Sequence, residues 1–378
     1  MLKESISGVR GIVGAGFTPE VVERYCLALD RFLPPGPILL ARDTRPSGVP
    51  ISRLISSILN LTGRDVLDAG IQTTPTAEVA TEKSEAAGGI IVTASHNPAE
   101  WNALKFLRGD GLFLDDEDFR KLHDVMDISA KWSIHSALGS LSEFSGAAKM
   151  HIEAIKSLPW LDFAAIRKAG YRVAYDANGG AGAAAMLPLL EELGCEVVEI
   201  GCELDGNFAH PAEPKPENLA KLAEIVRREK CHIGLANDPD ADRLALVDET
   251  GSAVGEEYTL AIGAAEAVEF AEGSIVVNLS TSAMVESLGR EVHRTPVGEI
   301  NVTRRMLELS APVGGEGNGG LIVPECHPGR DGMLAAAVIL HRMARTGRNL
   351  SEIAGELPKL CMVKDKVRTD ADPMAIED

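Results

Sequence analysis

The chain has 378 residues, of which 45% are apolar and 25% are charged, and its formal net charge is −19. This composition is ordinary for a soluble globular protein of about two to four domains, at roughly 100–200 residues each. The acidic balance argues against a protein that binds nucleic acids or anionic membranes, because both functions need a basic face. An anionic small substrate stays compatible with it, because a few Arg and Lys residues can make one cleft locally positive.

No apolar run approaches the roughly 18 residues of a membrane span, and the charged N-terminal segment lacks the hydrophobic stretch of a signal peptide. The cysteines form no Cys-x-x-Cys pair, which argues against a zinc site. They are Cys26, Cys195, Cys202, Cys231, Cys326 and Cys361. We therefore predict a cytoplasmic protein whose thiols are reduced and mostly buried.

The predicted elements alternate between strands and helices along the chain. In order they are a strand at 37–42, a helix over 49–62, strands at 64–71, 88–95 and 171–180, a helix over 186–193, a strand at 195–201, a strand at 273–282, a helix, and a strand at 291–298. Such alternation predicts parallel α/β units, in which ligands bind where strands end and helices begin. We expect three α/β domains with mixed or parallel sheets, each offering one loop to a common cleft.

Domain boundaries are predicted from changes in composition. The predicted units are 1–148, 149–254 and 255–366, followed by 367–378 as the lead-in to a further domain. Residues 128–150 are rich in Ser and Ala and only weakly periodic, so they are interpreted as a connector.

A serine follows the buried strand at 88–95 and precedes a sharp turn. Ser95 is succeeded by His96-Asn97-Pro98, a sequence that forces the chain to turn. We expect a serine at such a tip to be exposed and rigidly held, able to accept and return a phosphoryl group if a cation neutralises the charge. Lys105 lies further along and is placed to act as that cation or as a proton carrier. A turn that serves only the fold is the alternative for this motif alone.

An acidic loop joins two apolar strands in the middle of the chain. It contains Asp238, Asp240 and Asp242 at alternate positions, and Arg243 follows at once. Carboxylates so close together repel one another unless a cation lies between them. Ligands that are all oxygen imply a hard ion, which is Mg²⁺ or else Ca²⁺ or Mn²⁺, and Arg243 offers a fork to a phosphate. An EF-hand lacks support because no Gly or terminal Glu has the required offset, and a solvated hairpin turn is the alternative.

Residues 311–332 form a glycine-rich loop around Glu316 and Asn318. A carboxylate and an amide two residues apart can share the vicinal hydroxyls of a sugar, whereas no Gly-Lys-Ser/Thr of a nucleotide loop is present. His327 and Arg330 follow on the same segment. A structural hairpin and a structural histidine are the alternatives here.

Three arginines near the N-terminus add candidate cations. Arg10 lies in a turn flanked by glycines, and Arg42 and Arg45 follow the strand at 37–42. Each fits an ordinary surface loop, but together they bring positive charge to the first domain.

Taken together, these motifs resemble the α-D-phosphohexomutase superfamily. They are S-G-x-R-G at 7–11, T-A-S-H-N-P at 93–98 with a downstream Lys, D-P-D-A-D-R at 238–243 and G-E-G-N-G-G at 315–320, in an order that covers essentially the whole chain. The resemblance implies three α/β domains around one cleft and an intramolecular phosphotransferase. Its members interconvert hexose 1-phosphates and 6-phosphates through a phosphoserine, with a hexose 1,6-bisphosphate as intermediate and activator.

Carried over to this chain, the resemblance implies a role for each matching residue. Ser95 is the phosphoserine and a metal ligand; Asp238, Asp240 and Asp242 are the Mg²⁺ ligands; Arg10 and Lys105 are acid/base and electrostatic residues; Arg243 lies near the phosphate; and Glu316 and Asn318 belong to the sugar-recognition loop. His96, His327 and Arg330 are further candidates for substrate binding.

Two departures from the family pattern matter. The common sugar loop is G-E-x-S-G-H, whereas here Glu316 is followed by Gly317-Asn318-Gly319-Gly320, a form that resembles members assigned as phosphoglucosamine or phosphomannose/phosphoglucose mutases. The phosphate-gripping R-x-S-G-T-E loop of the family's fourth domain has no counterpart after residue 333. Without that loop we expect weak substrate binding and slow turnover, because remote phosphate contacts orient the substrate.

The resulting hypothesis is a Mg²⁺-dependent phosphoglucosamine mutase, with phosphomannomutase/phosphoglucomutase as the alternative sugar assignment. Its expected partner is a hexose phosphate, without nucleic acid or membrane, and its expected state is a monomer or homodimer. The rivals are a phosphatase that uses an Asp nucleophile and an inactive sugar-phosphate sensor. Intact Ser95, Lys105 and the three aspartates argue against the sensor.

Overall fold

The computed structural model describes residues 2–6 and 8–360. Within these residues, three consecutive α/β domains each surround a sheet of their own. None of the helices in the described segments is both long enough and apolar enough to cross a lipid bilayer.

The first domain is the largest. Its elements are β1 (Lys3–Ser5), β2 (Gly8–Ile12), α1 (Pro19–Phe32), β3 (Ile38–Arg42), α2 (Gly48–Thr62), β4 (Val66–Ile71), α3 (Thr74–Lys83), β5 (Gly88–Val92), β6 (Trp101–Arg108), α4 (Asp116–Asp124) and β7 (Leu141–Glu143). The strands form one sheet in the order β1-β2-β6-β5-β3-β4-β7, parallel from β5 to β7 and antiparallel from β5 to β1. All five residues of β5 are buried, as expected for a strand covered on both faces.

The second domain has a four-stranded sheet. Its elements are α5 (Ala147–Lys156), α6 (Phe163–Ala169), β8 (Arg172–Asp176), α7 (Ala183–Glu192), β9 (Glu196–Ile200), α8 (Ala220–Glu229), β10 (Ile233–Asn237) and β11 (Leu244–Asp248). The order is β11-β10-β8-β9, and only β11 is antiparallel to its neighbour. The acidic loop is therefore the tight connection between β10 and β11.

The third domain repeats this plan. Its elements are α9 (Glu256–Ala267), β12 (Ile275–Asn278), β13 (Val292–Thr295), α10 (Glu299–Leu309), β14 (Val313–Glu316), β15 (Gly320–Ile322), α11 (Gly332–Thr346) and α12 (Leu350–Gly355). The sheet order is β13-β12-β14-β15, with β15 antiparallel. The glycine-rich loop is the connection between β14 and β15.

A buried polar junction fixes the three domains against one another. His151 of α5 contacts Thr76 of α3 at 3.0 Å through Nδ1 and Asp331 at 2.7 Å through Nε2. Asp331 also caps α11 by accepting hydrogen bonds from the backbone amides of Met333 and Leu334. One apolar core includes residues of both the second and the third domain, so these two domains pack through a continuous interior.

The predicted α/β class with three domains is confirmed, while two local predictions are wrong. The proposed connector at 128–150 contains β7, which pairs with β4, and the start of α5. The helix expected after β12 is only a short 3₁₀ helix at Ala283–Leu288. Lys105 belongs to strand β6, an element that local pattern did not predict. The predictions for Cys361 and for 367–378 lie outside the described residues.

A buried charge cluster on α9 leads to a stability prediction. The Glu266 side chain is fully buried and binds Arg345, Arg342 and His341. Burial alone raises the pKa of Glu266, but hydrogen bonds from Arg345 and His341 outweigh it and lower the pKa to about 2. Glu266→Gln should reduce the free energy of unfolding near neutral pH by about 3 kcal/mol, because it leaves buried cations unpaired.

The pH dependence of the stability lost in Glu266→Gln tests whether the charge of Glu266 is its cause. A carboxyl group with a lowered folded pKa stabilises the fold above its ordinary pKa of 4.5 and loses this contribution as the pH falls toward 2. Thermal unfolding midpoints of wild type and Glu266→Gln should therefore converge in acid. Glu272→Gln is the matched control, because Glu272 pairs with Arg290 in solvent and should change stability by less than about 0.5 kcal/mol. A gap that stays constant with pH would contradict the assignment.

Candidate active site

A cavity of about 210 Å³ lies where loops of all three domains meet. Most of the residues singled out in the sequence line it: Arg10, Ser95, His96, Lys105, Arg243, Glu316, Asn318 and Arg330. The β5–β6 loop contributes the serine, the β10–β11 loop contributes Arg243, and the β14–β15 loop contributes Glu316 and Asn318. The structure thus brings together three loops that lie far apart in the sequence.

Ser95 lies at the end of β5 in a strained backbone conformation. Its φ is +48°, in the left-handed region that costs a residue other than glycine about 1–2 kcal/mol. Strain of this kind persists where surrounding contacts impose it, and functional sites are a frequent place for it. Only 8% of Ser95 is exposed, so the expectation of an exposed serine is wrong: the loop lies under the other domains.

The hydroxyl of Ser95 points at the acidic loop. Its Oγ donates a hydrogen bond to Asp238 Oδ2 at 2.8 Å, and His96 Nδ1 is 3.4 Å from the same Oγ. Burial and the neighbouring Arg243 guanidinium lower the pKa of His96 to about 4, so this imidazole is neutral near pH 7. The serine therefore has a carboxyl group and an uncharged imidazole as neighbours.

Asp238, Asp240 and Asp242 are all fully buried and project to one side of their loop. Ala241, between the last two, has a φ of +55° that makes the turn tight. One carboxylate oxygen from each aspartate lies within 4.8 Å of the others. Burial and the charges of Asp242 and Asp240 raise the pKa of Asp238 well above its ordinary value.

Two cations offset part of this negative charge. Lys105 Nζ lies 2.7 Å from Asp240 Oδ2 and 3.7 Å from Asp242 Oδ2, and an Arg330 nitrogen lies 2.5 Å from Asp242 Oδ2. Burial alone lowers the pKa of Lys105, but Asp240 and Asp242 raise it above its ordinary value. Lys105 is therefore protonated at neutral pH.

The aspartate cluster has the composition of a hard-metal site. Asp240 Oδ1 and Asp242 Oδ1 are buried and have no hydrogen-bond partner among the described residues. Buried carboxylate oxygens are costly without a partner, and a divalent cation bound by oxygen ligands would satisfy them. The three aspartates and Ser95 Oγ are the residues that fit such an ion.

The glycine-rich loop presents an oriented carboxylate to the cavity. Glu316 Oε1 accepts hydrogen bonds from Asn278 Nδ2 at 2.6 Å and from the amide of Gly298 at 3.3 Å, and Glu316 Oε2 accepts from Arg330 at 2.6 Å. Burial alone raises the pKa of Glu316, but Arg330 and Asn278 outweigh it and lower the pKa. Asn318 Nδ2 also donates to Glu316, while Asn318 Oδ1 has no described partner. The loop can thus accept hydrogen bonds from hydroxyl or amino groups.

Arg10 and Arg243 supply positive charge at the cavity wall. Arg10 belongs to β2 and pairs across the sheet with Ala103 of β6. Arg243 lies 3.6 Å from Glu213 and 3.7 Å from Asp242, and its buried Nε has no described hydrogen-bond partner. A guanidinium N–H without a hydrogen-bond partner suits an anionic group such as phosphate.

The structure does not support a substrate-binding role for His327. Its side chain is only 2% exposed and does not line the cavity. Its Nδ1 contacts Glu82 Oε2 at 2.7 Å, so it joins the third domain to α3. Arg45 is fully buried, so it does not lie in an ordinary surface loop, and it does not line the cavity.

Sequence reasoning missed three residues that organise the site. Thr74 donates to Asp240 Oδ2 at 2.7 Å, Asn278 orients Glu316, and Glu299 accepts from Arg330 Nε at 3.0 Å. Asn278 ends β12, whereas Thr74 and Glu299 begin α3 and α10. Polar residues at strand ends and first helical turns were the signal that could have identified them.

Comparison with known protein families identifies each domain. The matches are "Phosphoglucomutase/phosphomannomutase, alpha/beta/alpha domain I" over residues 2–131, domain II over 149–251 and domain III over 256–361. These matches include most of the chain and all of the loops that form the cavity.

Individual relatives agree with the domain matches. The chain is 37% identical to a Thermococcus kodakarensis protein named phosphoglucomutase/phosphomannomutase, over 98% of this chain and 83% of that protein. It is 35% identical to a Methanopyrus kandleri protein named probable phosphoglucosamine mutase, over 96% of this chain and 80% of that protein. A crystal structure of a phosphoglucomutase/phosphomannomutase family protein from Burkholderia thailandensis superposes with a TM-score of 0.81 at 25% identity, covering 95% of this chain and 81% of the other.

Proposed function

The chain belongs to the phosphoglucomutase/phosphomannomutase family of phosphohexomutases, and from this premise we propose that Ser95 carries the transferred phosphoryl group in a Mg²⁺-dependent interconversion of hexose 1-phosphates and 6-phosphates. The single observation that carries this proposal is the contact of 2.8 Å between Ser95 Oγ and Asp238, at the centre of a buried triad of aspartates. A cation bound by these aspartates would lie next to Ser95 and neutralise the negative charge of a phosphoryl group on its Oγ.

In the proposed reaction, Ser95 carries a phosphoryl group at rest. This group passes to the free hydroxyl of a hexose phosphate: the bond from phosphorus to Ser95 Oγ breaks, a bond to the sugar oxygen forms, and the sugar's proton goes to Ser95. The resulting 1,6-bisphosphate turns around in the cleft and returns its other phosphoryl group to Ser95. Hexose 1,6-bisphosphate is therefore both intermediate and activator, because it can phosphorylate an unmodified chain.

The residues around Ser95 suit these two transfers. Charge neutralisation at the transferred group is the chemistry that Mg²⁺ supplies when it is bound by Ser95 and the three aspartates. Lys105 and Arg10 are assigned acid/base and electrostatic roles, which the protonated state of Lys105 supports. Arg243 and the neutral His96 are assigned to the phosphate.

The glycine-rich loop is assigned to the sugar. Glu316, Asn318 and Arg330 form one hydrogen-bonded group on the cavity wall, with acceptors suited to ring hydroxyls or to an amino group. We propose glucosamine phosphate as the first substrate, supported by the Asn form of the loop and by the name of the Methanopyrus relative. The Thermococcus relative named phosphoglucomutase/phosphomannomutase favours glucose and mannose phosphates as the second candidate.

A comparison of substrates tests both the proposed mutase activity and the proposed sugar. The protein is incubated with Mg²⁺, hexose 1,6-bisphosphate and the 1-phosphate of glucosamine, glucose or mannose, and products are followed by ³¹P NMR. Formation of a 6-phosphate is expected, with the highest kcat/KM for glucosamine. Release of inorganic phosphate alone would instead indicate a phosphatase, and binding without turnover would indicate a sensor. A preference for mannose or glucose would overturn only the sugar assignment.

A further inference from the structure

The two peptide groups that flank Ser95 are both tied to one buried carboxylate. On one side, the Ser95 amide donates to Thr93 Oγ1 at 3.0 Å, and the Thr93 hydroxyl donates to Asp43 Oδ2 at 2.7 Å. On the other side, the Ser95 carbonyl accepts from an Arg45 nitrogen at 2.6 Å, and Arg45 Nε donates to Asp43 Oδ2 at 2.9 Å. Asp43 and Arg45 are both fully buried, so these contacts are not screened by solvent.

Arg45 uses every donor of its guanidinium group on the serine loop and its anchor. One terminal nitrogen donates to the carbonyls of Ser95 and Asn97, and the other donates to those of Pro98 and Trp101. With Nε bound to Asp43, all five N–H groups are occupied. Arg45 therefore has no donor left for a substrate, and it does not line the cavity.

The need for such a clamp follows from the backbone of Ser95. A serine in the left-handed region drifts back to ordinary conformations unless neighbouring contacts hold it there. The four carbonyls bound by Arg45 span the loop from the end of β5 to the start of β6. Only a planar fork with fixed donor directions can reach all four at once, which a lysine cannot do.

We propose that Arg45 is a positioning residue that holds Ser95 in its left-handed conformation, with Oγ directed at Asp238 and the cavity. The inference rests on the proposed phosphoryl carrier role of Ser95 and extends it to a residue that contacts Ser95 through its backbone carbonyl and does not line the cavity. Phosphoryl transfer needs the nucleophile and acceptor in line, and a displacement of about 1 Å costs about a hundredfold in rate.

The test compares Arg45→Lys with Arg42→Lys in the full chain. Arg42 is the matched control, because it ends the strand that Arg45 follows and, among the described residues, its side chain donates to the Asp43 carbonyl and not to the serine loop. Arg45→Lys should lower kcat about a hundredfold and leave KM within about threefold, since the cavity lining is unchanged. Amide hydrogen exchange in residues 93–101 should become faster in this variant only. Arg42→Lys should match wild type in both measurements.

Thr93→Val tests the other tether if Arg45→Lys fails to fold. It removes the hydroxyl that links Asp43 to the Ser95 amide and should lower kcat about tenfold, while Thr93→Ser should recover most of that loss. A kcat of Arg45→Lys within threefold of wild type would overturn the inference. So would a loss confined to thermal stability, with unchanged exchange in the serine loop.

Different measurements distinguish a failure of the Arg45 inference from a failure of the proposed function. If wild type itself takes no phosphate from hexose 1,6-bisphosphate and shows no mutase activity, the carrier role of Ser95 is wrong, and the role of Arg45 falls with it. If wild type is active and Arg45→Lys is equally active, only the role of Arg45 is wrong.

Discussion

Ser95→Ala is expected to lower mutase activity by at least about four orders of magnitude. The substitution removes the oxygen that carries the phosphoryl group, and the remaining residues cannot transfer it in two steps. The measurement is conversion of hexose 1-phosphate to 6-phosphate in the presence of Mg²⁺ and hexose 1,6-bisphosphate. Ser47→Ala is the control, because Ser47 Oγ accepts a hydrogen bond from Asn102 away from the cavity lining and should retain activity.

The loss in Ser95→Ala should occur without loss of the metal site. Asp238, Asp240 and Asp242 keep their positions, so calorimetry should still detect Mg²⁺ binding to the variant. A Ser95→Ala protein that retains more than about a hundredth of wild-type activity would contradict the role of this serine as carrier, and would point to a different nucleophile.

Asp238→Asn is expected to have the second large effect, which is a loss of Mg²⁺ affinity. It removes one of three charged ligands and should weaken Mg²⁺ binding at least about a hundredfold, with a parallel loss of activity. In the native protein, burial and repulsion from the other two carboxylates raise the pKa of Asp238. Without metal, the substitution removes this repulsion. The thermal midpoint of the metal-free variant should therefore equal or exceed that of wild type.

Asp248→Asn is the matched control for this prediction. Asp248 ends β11, the strand that follows the acidic loop, and accepts hydrogen bonds from the amides of Thr250 and Ser252 in a turn outside the cavity lining. It should lose stability and keep Mg²⁺ affinity, the reverse of Asp238→Asn. Unchanged Mg²⁺ affinity in Asp238→Asn would place the metal elsewhere.

Local sequence pattern was sufficient to predict the elements whose polar and apolar residues match their burial in the fold. The buried run Gly88–Val92 is fully apolar because helices cover both faces of the sheet, and it was predicted as a strand. The loops after β5, β10 and β14 were also found, because Ser, Asp and Gly at strand ends are informative about chemistry. The acidic loop was the strongest signal, since like charges at alternate positions repel one another and so favour a cation site.

Tertiary contacts account for what pattern missed. β6 carries Asn102 and Lys105 at buried positions, and local pattern does not show the distant partners of these polar residues, which are Ser47 and Asp240. Arg45 read as part of a surface turn, although its partners lie about fifty residues further along the chain. His327 looked equivalent to Arg330 in sequence, but packing turns it toward α3 and away from the cavity. Contacts between distant segments determined each of these cases.

The intact mass of the protein after incubation with hexose 1,6-bisphosphate is the most direct test of the central claim. The account predicts an increase of one phosphate group that maps to Ser95, is lost on addition of excess hexose 1-phosphate, and is absent from Ser95→Ala. A chain that remains unmodified, or that carries its phosphate on Asp238 or another residue, would contradict the account.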